Sequence, residues 1–371
     1  MRSSNQPKVR YAVVGLGHLA QVAVLPAFAR SQNSELCALV SSDTTKLSKL
    51  GRKYKVRKLG DYEQFEECIA GVDAVYIVLP NHLHREFTVR ALQAGVHVLC
   101  EKPMAVNEEE CREMIREAEE NRKKLMIAYR LHFEEGNLFA IETAQKGKLG
   151  ELRIFTSEFA QQVAPGNIRL EAISRGGGPV YDMGVYCINA ARYLFADEPH
   201  YIMAHAFRSN ELRFAKSEEM AAVTMRFPGE RVATFVVSFG AADISRYTLI
   251  GAEGVLTADP AYEYAEGIKL QVQRGDKLRK RNFPKRDQFA AEITYFSDCI
   301  QRNLEPEPSG WEGLADVRIV EAIYASIRSQ REVMISPITK RQRPGMRQEI
   351  RRPPHGKPQT VHATSPSGEA A

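Results

Sequence analysis

The chain has 371 residues, 44 % of them apolar and 26 % charged. That is ordinary globular usage with length for two domains, and it excludes a collagen-like or coiled-coil rod and wholesale disorder. No apolar run approaches the roughly 18 residues of a membrane-spanning helix. The six cysteines (Cys37, Cys68, Cys100, Cys111, Cys187, Cys299) form no Cys-x-x-Cys pair, which argues for a reducing compartment and against a disulfide framework or zinc site. The net charge of +5 sits in residues 336–371, where Lys340, Arg341, Arg343, Arg347, Arg351, Arg352 and Lys357 face only Glu349 and Glu369. This Pro-rich, aromatic-free segment is expected as an extended or disordered tail, solvated or laid over a neighbouring subunit. Charge without stacking residues makes no nucleic-acid site. The opening MRSSNQPKVRYAVVG has no apolar targeting core, so the expected location is the cytoplasm.

In chain order, Val9–Val14, Leu36–Ser41, Ala74–Leu79, Val96–Cys100 and Leu125–Ala128 read as buried strands with helices between them. The clearest helix is Asn107–Lys124. Asn107 suits the N-cap, Glu108, Glu109 and Glu110 the first turn, and Arg122, Lys123 and Lys124 the last. Cys111, Met114, Ile115 and Ala118 form its apolar stripe. Alternating strand and helix with all-apolar strands predicts a parallel sheet covered on both faces. After Tyr129 the pattern changes. Leu152–Phe159, Tyr201–Arg208, Ala221–Phe227, Arg231–Phe239 and Tyr247–Ile250 read as strands, with a hairpin at Phe227-Pro-Gly-Glu-Arg231. Helices are expected at Pro179–Phe195, Gln288–Arg302 and Trp311–Arg331. The fold class is therefore α/β. An N-terminal doubly wound Rossmann sheet (1–128) precedes a C-terminal α+β domain (129–335) with a large, mainly antiparallel open sheet. The last helices pack back toward the first domain, and the tail (336–371) follows. An open sheet face points to a homodimer or homotetramer.

Gly15-Leu16-Gly17-His18-Leu19-Ala20 fits G-x-G-x-x-A between a strand and a helix, the context of dinucleotide binding. The glycines permit the tight turn and the approach of a pyrophosphate to the helix N-terminus. NAD binders place an acid at the end of the second strand. Here that position is Ser41, followed by Ser42, and Lys46 is near enough to neutralise a 2′-phosphate, so NADP is expected over NAD. A register one step different would make Asp43 the ribose acid. Leu79, Pro80, Asn81, His82 and His84, then Glu101 and Lys102, then Tyr129 and Arg130, all fall at strand exits, where open parallel sheets bind ligands. His82 and His84 have no carboxylate or cysteine at ligand spacing, so no metal is expected.

Lys102 in Glu101-Lys102-Pro103 suits donation to a substrate oxygen. Gly176-Gly177-Gly178-Pro179 opens a helix on which Asp182, Tyr186, Asn189 and Tyr193 form one polar and aromatic stripe. The three glycines read as room for backbone to approach a ligand. Tyr193 reads as a core residue, Tyr186 and Asp182 as functional. A phenol ionises near pH 10, so as a proton acceptor it needs positive charge beside it.

These elements resemble the Gfo/Idh/MocA oxidoreductase family, most closely its glucose–fructose oxidoreductase branch, over about Val9 to Val333. The resemblance rests on GLGHLAQ at 15–21, VSSDTTK at 40–46, PNHLH at 80–84, AGVHVLCEKP at 94–103, YR at 129–130 and GGGPVYDMGVYCINAARYL at 176–194. EPEPSGWEGLADVRIVEAIY at 305–324 belongs to it too. It implies Lys102 and Tyr186 as the catalytic pair, Asp182 as a substrate-positioning residue, and Ser41 and Lys46 as NADP readers. Many members carry His at the position of Tyr186, and the tyrosine points to the sugar-oxidising branch. Arg169 matches a Trp-Arg element that contacts cofactor, with Ile168 in place of the Trp. The expected cofactor set is Gly15, Gly17, His18, Leu19, Ser41, Ser42, Lys46, Leu79, Pro80, Asn81, His84, Glu101, Lys102, Arg130 and Arg169. The expected function is NADP(H)-dependent hydride transfer to or from a sugar-like aldose or polyol carbon. An inositol, a cyclic diol, a non-sugar carbonyl, or a non-catalytic dinucleotide sensor are the alternatives.

Overall fold

Val9–Val14 (β1) sends Tyr11 and Val13 to one side and Ala12 and Val14 to the other, and all four are buried. A strand buried on both faces must lie inside a covered sheet. The computed structural model describes residues 7–338 and 342–368, so Lys340, Arg341 and Glu369 of the expected tail lie outside the described residues. β1 pairs in parallel with β2 (Ser34–Val40) and β4 (Ala74–Ile77). β3 (Lys58–Gly60), β5 (His97–Glu101) and β6 (Leu125–Ala128) complete a six-stranded parallel sheet in the order β3-β2-β1-β4-β5-β6. The order reverses between β1 and β4, and at that switch point the carboxyl edge opens into a crevice.

The helix after β5 runs Glu108–Glu120, with Asn107 accepting from the Glu110 amide at 2.8 Å and the predicted apolar stripe buried. It stops short of Lys124. Arg122 adopts a left-handed φ of 53°, and Lys123 and Lys124 lead into β6 instead of closing the helix.

The second sheet comprises β7 (Leu152–Ala160), β8 (Tyr201–Phe207), β9 (Met220–Phe227), β10 (Arg231–Ser238), β11 (Ile244–Gly251), β12 (Val255–Ala258), β13 (Lys269–Arg274), β14 (Lys277–Asn282) and β15 (Val333–Met334). Its order is β14-β13-β12-β11-β7-β10-β9-β8-β15, antiparallel except for the central β7–β10 pair. The predicted hairpin is the β9–β10 turn, in which Gly229 and Glu230 both take positive φ. β12 to β14 were not legible. β13 and β14 form a hairpin at the sheet's edge: β14, rich in Lys and Arg and exposed throughout, carries no burial pattern and its charge blocks edge-to-edge pairing, while in β13 Leu270 and Val272 alternate with polar residues.

One face of this sheet packs on helices Glu135–Gln145, Val185–Phe195 and Gly310–Ser329. On the other face Ile154 and Val236 are exposed. The Gly310–Ser329 helix joins the lobes. Leu314 and Val317 pack with the first sheet, Ile319, Val320 and Ile323 with the second. Gln288–Arg302 buries Phe289, Ile293 and Phe296 against the first sheet's other face. Among the described residues no helix is long and apolar enough to cross a membrane.

The described part of the tail is extended and largely at the surface, with a few residues anchored on the body. Met346, Ile350 and Val361 pack on the cores, and Arg343 donates to Glu198 at 2.9 Å. Gln348 donates to the Glu307 carboxylate at 2.8 Å. Polar anchors on the body replace the apolar content that the tail lacks.

Arg192 is fully buried among Glu198, Glu312 and Asp316. Removing one member of such a cluster strands the other charges. Arg192→Ala is expected to cost about 3–5 kcal/mol in a urea unfolding titration; a loss under about 1 kcal/mol would contradict this reading.

Candidate active site

β1 ends in the glycine turn. Gly15 has φ +93°, and a Cβ there would sit 2.3 Å from the Val78 carbonyl oxygen, so the turn closes directly onto the exit of β4. Above Gly17 a Cβ would meet nothing within 4 Å. A continuous helical segment, 18–30, starts there, its first free N–H groups at His18 and Leu19. A closed floor, open space and a helix N-terminus together fit a dinucleotide pyrophosphate.

Ser41 directly follows β2, and its hydroxyl accepts from the Asp43 amide at 3.2 Å. Asp43 caps the Thr44–Tyr54 helix by accepting from the Lys46 amide at 2.9 Å, and its other oxygen meets His362 at 3.0 Å. These bonds, the Lys46 amide first and His362 second, hold the Asp43 carboxyl below its usual range. Asp43 is thus engaged as a cap, which leaves Ser41, the exposed Ser42 and Lys46 at the strand exit. Leu79 and Pro80 continue from β4, and Asn81 donates to the Gly176 carbonyl at 2.7 Å.

The side chains of two residues expected at the cofactor, His84 and Glu101, turn into the interior. His84 is fully buried, its ring nitrogens 2.9 Å from the Leu79 carbonyl and 2.8 Å from that of Pro103. It braces the edge from beneath and does not line it. The Glu101 side chain turns into the core, where its carboxyl meets the Tyr76 hydroxyl at 2.9 Å. That hydroxyl also meets Glu292 at 2.6 Å. A single O–H donates to one carboxyl only, so the other must carry a proton. Burial, the dominant cause, drives both carboxyls up in pKa. His82 turns away from His84 to meet Arg175 at 2.7 Å, so the two histidines form no ligand pair.

Lys102, Asp182 and Tyr186 come together. The Lys102 ammonium donates to Asp182 Oδ1 at 3.1 Å and to the Asp182 carbonyl at 2.8 Å, and lies 4.7 Å from the centre of the Tyr186 ring. Arg169 donates to Asp182 Oδ2 at 2.7 Å. Burial opposes the Asp182 charge, but Arg169 and Lys102 outweigh it and hold the carboxyl well below the usual range. Burial likewise opposes the Lys102 charge, and Tyr186, Asp182 and Glu101 outweigh it, so its pKa is raised. Arg130, expected at the cofactor, instead donates to the Tyr186 hydroxyl at 3.2 Å, while also bonding Gln288 and the Tyr262 carbonyl.

The three glycines are not room for a ligand. A Cβ on Gly176, Gly177 or Gly178 would meet Asn81 at 2.7 Å, the Glu171 carbonyl oxygen at 1.9 Å or Glu218 at 2.5 Å. The protein's own backbone and carboxylates fill that space. Of the stripe, Asn189 joins His132, Glu312 and Asp316 in the interior, and Tyr193 donates to Asn137, as a core tyrosine.

A model of the oxidoreductase family with NAD-binding Rossmann fold matches residues 9–129, and the GFO/IDH/MocA C-terminal domain matches 139–257. The chain belongs to the GFO/IDH/MocA oxidoreductase family. It is similar to D-xylose 1-dehydrogenase [NADP(+)] of Haloarcula marismortui, 29 % identical over 88 % of this chain and 93 % of that one. An uncharacterized oxidoreductase of Rhizobium meliloti is 30 % identical over 86 % of this chain and 96 % of its own. The crystal structure of aldose-aldose oxidoreductase from Caulobacter crescentus, complexed with glycerol, superposes with a TM-score of 0.85 at 36 % identity. It covers 88 % of this chain and 100 % of its own.

In this member of the family, sequence reasoning missed Tyr262, Tyr264 and Gln288. Tyr262 and Tyr264 come from the stretch between β12 and the Gln288–Arg302 helix, where the strands were not legible, and Gln288 opens that helix. Gln288 and the Tyr262 carbonyl fix Arg130, and the Tyr264 ring lies 5.3 Å from its guanidinium carbon. The available signal was the Tyr262-Glu263-Tyr264 alternation ahead of an Asp287 helix cap.

Burial pushes the His84 pKa down to about 4. The folded state therefore binds fewer protons than the unfolded one below the unfolded value of about 6.5. The His84 contribution is present above that value and is lost as pH falls toward 4. Melting temperatures at pH 7 and pH 5 should show a smaller acid-induced drop in His84→Gln than in the parent, since the other titrating groups are common to both. Equal drops would refute it.

Proposed function

We propose that this family member is an NADP-dependent oxidoreductase moving hydride between the dinucleotide and a hydroxyl-bearing carbon of an aldose or related polyol. The carrying observation is the meeting of the Lys102 ammonium with the Tyr186 ring at the crevice edge. Ser41, Ser42 and Lys46, with no acid at the strand end, support NADP, as does the NADP(+) in the name of the archaeal relative. The names of that relative and of the Caulobacter enzyme support a sugar substrate.

When bound, the nicotinamide supplies the hydride acceptor or donor. The chain's own residues handle the proton. Lys102 has three N–H donors. Asp182 takes two, through Oδ1 and its carbonyl, which leaves one for a substrate oxygen. On oxidation Tyr186 acts as a phenolate that takes the substrate hydroxyl proton, and on reduction as a phenol that returns it and is left negative. Arg130 at its hydroxyl and Lys102 over its ring put two positive charges beside the oxygen that becomes negative. Asp182 and Arg169 hold Lys102 in place. With the Lys102 side chain only 10 % exposed, little water competes for its free donor.

With purified protein, NADP and a panel of aldoses and polyols, NADPH absorbance should rise with at least one sugar. Tyr186→Phe and Lys102→Ala should each lower kcat at least ~100-fold while NADPH fluorescence still reports binding. Near-parental rates in both would remove the assignment.

We also propose that the second sheet's open face, with Ile154 and Val236 exposed beside half-buried Thr156 and Thr234, joins subunits into a homodimer or homotetramer. Light scattering should report a multiple of the 41.7 kDa chain mass. A monomer at micromolar concentration would overturn it.

A further inference from the structure

The tail does more than cover the cores. After Arg352, whose carbonyl accepts from the Asp287 amide at 3.0 Å, it runs back over the first lobe. Lys53 donates to the Gln359 carbonyl at 3.1 Å. The side chain of Gln21, on the helical segment that follows the glycine turn, then clamps Val361 from both sides. It donates to the Val361 carbonyl at 2.9 Å and accepts from its amide at 2.7 Å. Gln21 is itself buried and also donates to the Leu16 carbonyl at 2.9 Å, inside the glycine turn. His362 meets Asp43 beside Ser41 and Ser42, and holds a left-handed φ of 45°. That conformation is uncommon for a non-glycine residue. The Pro366 carbonyl then accepts from the Ala164 amide at 2.9 Å, on the second lobe.

The segment is thus fastened to both lobes, and a cavity of about 250 Å³ remains beneath it. His18, Val22, Tyr264 and Phe289 line the cavity from the body, His355 and Lys357 from the tail. The Lys357 charge reaches His18 at the start of the helical segment. Burial first, then Arg169 and Lys357, lower the His18 pKa.

We propose that residues 355–368 are a strap that encloses the dinucleotide in its own subunit, so that NADP leaves only when the Gln21–Val361 clamp opens. This rests on the dinucleotide reading above and adds a determinant that the glycine motif does not contain. Lys357 and His362 bring cationic and hydrogen-bonding groups to the side of the crevice that the first sheet leaves open. The Caulobacter structure is wholly covered by 88 % of this chain, so part of this chain has no counterpart there.

The test is the release rate of NADPH, followed by fluorescence on displacement with excess NADP. Val361→Pro removes the amide that Gln21 accepts from and keeps the full chain. A second variant ends at Pro354. Both should release NADPH at least about tenfold faster than the parent and bind it more weakly. Hydrogen exchange across 357–363 in the parent should slow when NADPH is added. Release and exchange indifferent to these changes would overturn the strap and leave the NADP assignment intact. Tighter binding in the variants would overturn it too, because the tail would then be a plug competing for the site. A parent that binds no NADPH at all would overturn both this inference and the proposed function.

Discussion

The Asp182 carboxylate joins the two lobes at the point where the chemistry is placed. One oxygen takes Lys102 from the exit of β5, the other takes Arg169 from the loop after β7, and the backbone carbonyl takes Lys102 again. Two partly buried cations of the same sign would repel each other and their desolvated surroundings without it. The same contacts orient the ammonium over the Tyr186 ring, one helical turn further on. The distance between amine and phenol is therefore set by a helix backbone and an ion pair, both stiffer than a free lysine side chain.

Behind this cluster the interior is unusually polar. Tyr76 links Glu101 to Glu292, His132 links Glu307 to Asn189, and Arg192 binds Glu198, Glu312 and Asp316. Each of these side chains has at least one hydrogen-bonding partner, the condition under which such groups are tolerated, although Glu292 Oε2 has none. These networks connect the carboxyl edge of the first sheet to the last two helices, so the backbone around Lys102 and Arg130 has little freedom. Arg343 of the tail joins the Arg192 cluster, which couples the tail's path to the core.

The dinucleotide edge and the tail share another logic. The glycine turn is closed below by β4 and open above Gly17. A segment that contributes few apolar side chains crosses the open side and is held by backbone and amide hydrogen bonds. Such a segment can be fastened and still detach, because each bond it gives up is replaced by one to water.

Most of the Rossmann half was legible because its longer strands are largely apolar and the helix after β5 is capped by Asn107, so periodicity and capping bear on the local backbone directly; the short β3, Lys58–Gly60, has no apolar run and was not read. The G-x-G-x-x-A turn, the Asn107 cap and the core face of 107–120 all follow from near neighbours in the chain. Lys102 and Tyr186 were legible as residue types at suggestive positions. The edge strand β14 was not, because a strand that buries nothing carries no burial pattern, and its partner β13 went unread with it although Leu270 and Val272 alternate with polar residues. The roles of Arg130, Arg169, His84, Glu101 and the three glycines also escaped, since each depends on a partner distant in sequence. The sequence alone determined where the chain turns, which segments are buried and which chemistry-bearing residues stand at strand exits. Only the tertiary structure decided which of them meet and where the basic tail goes, because burial and charge pairing act between residues that proximity in the chain does not relate.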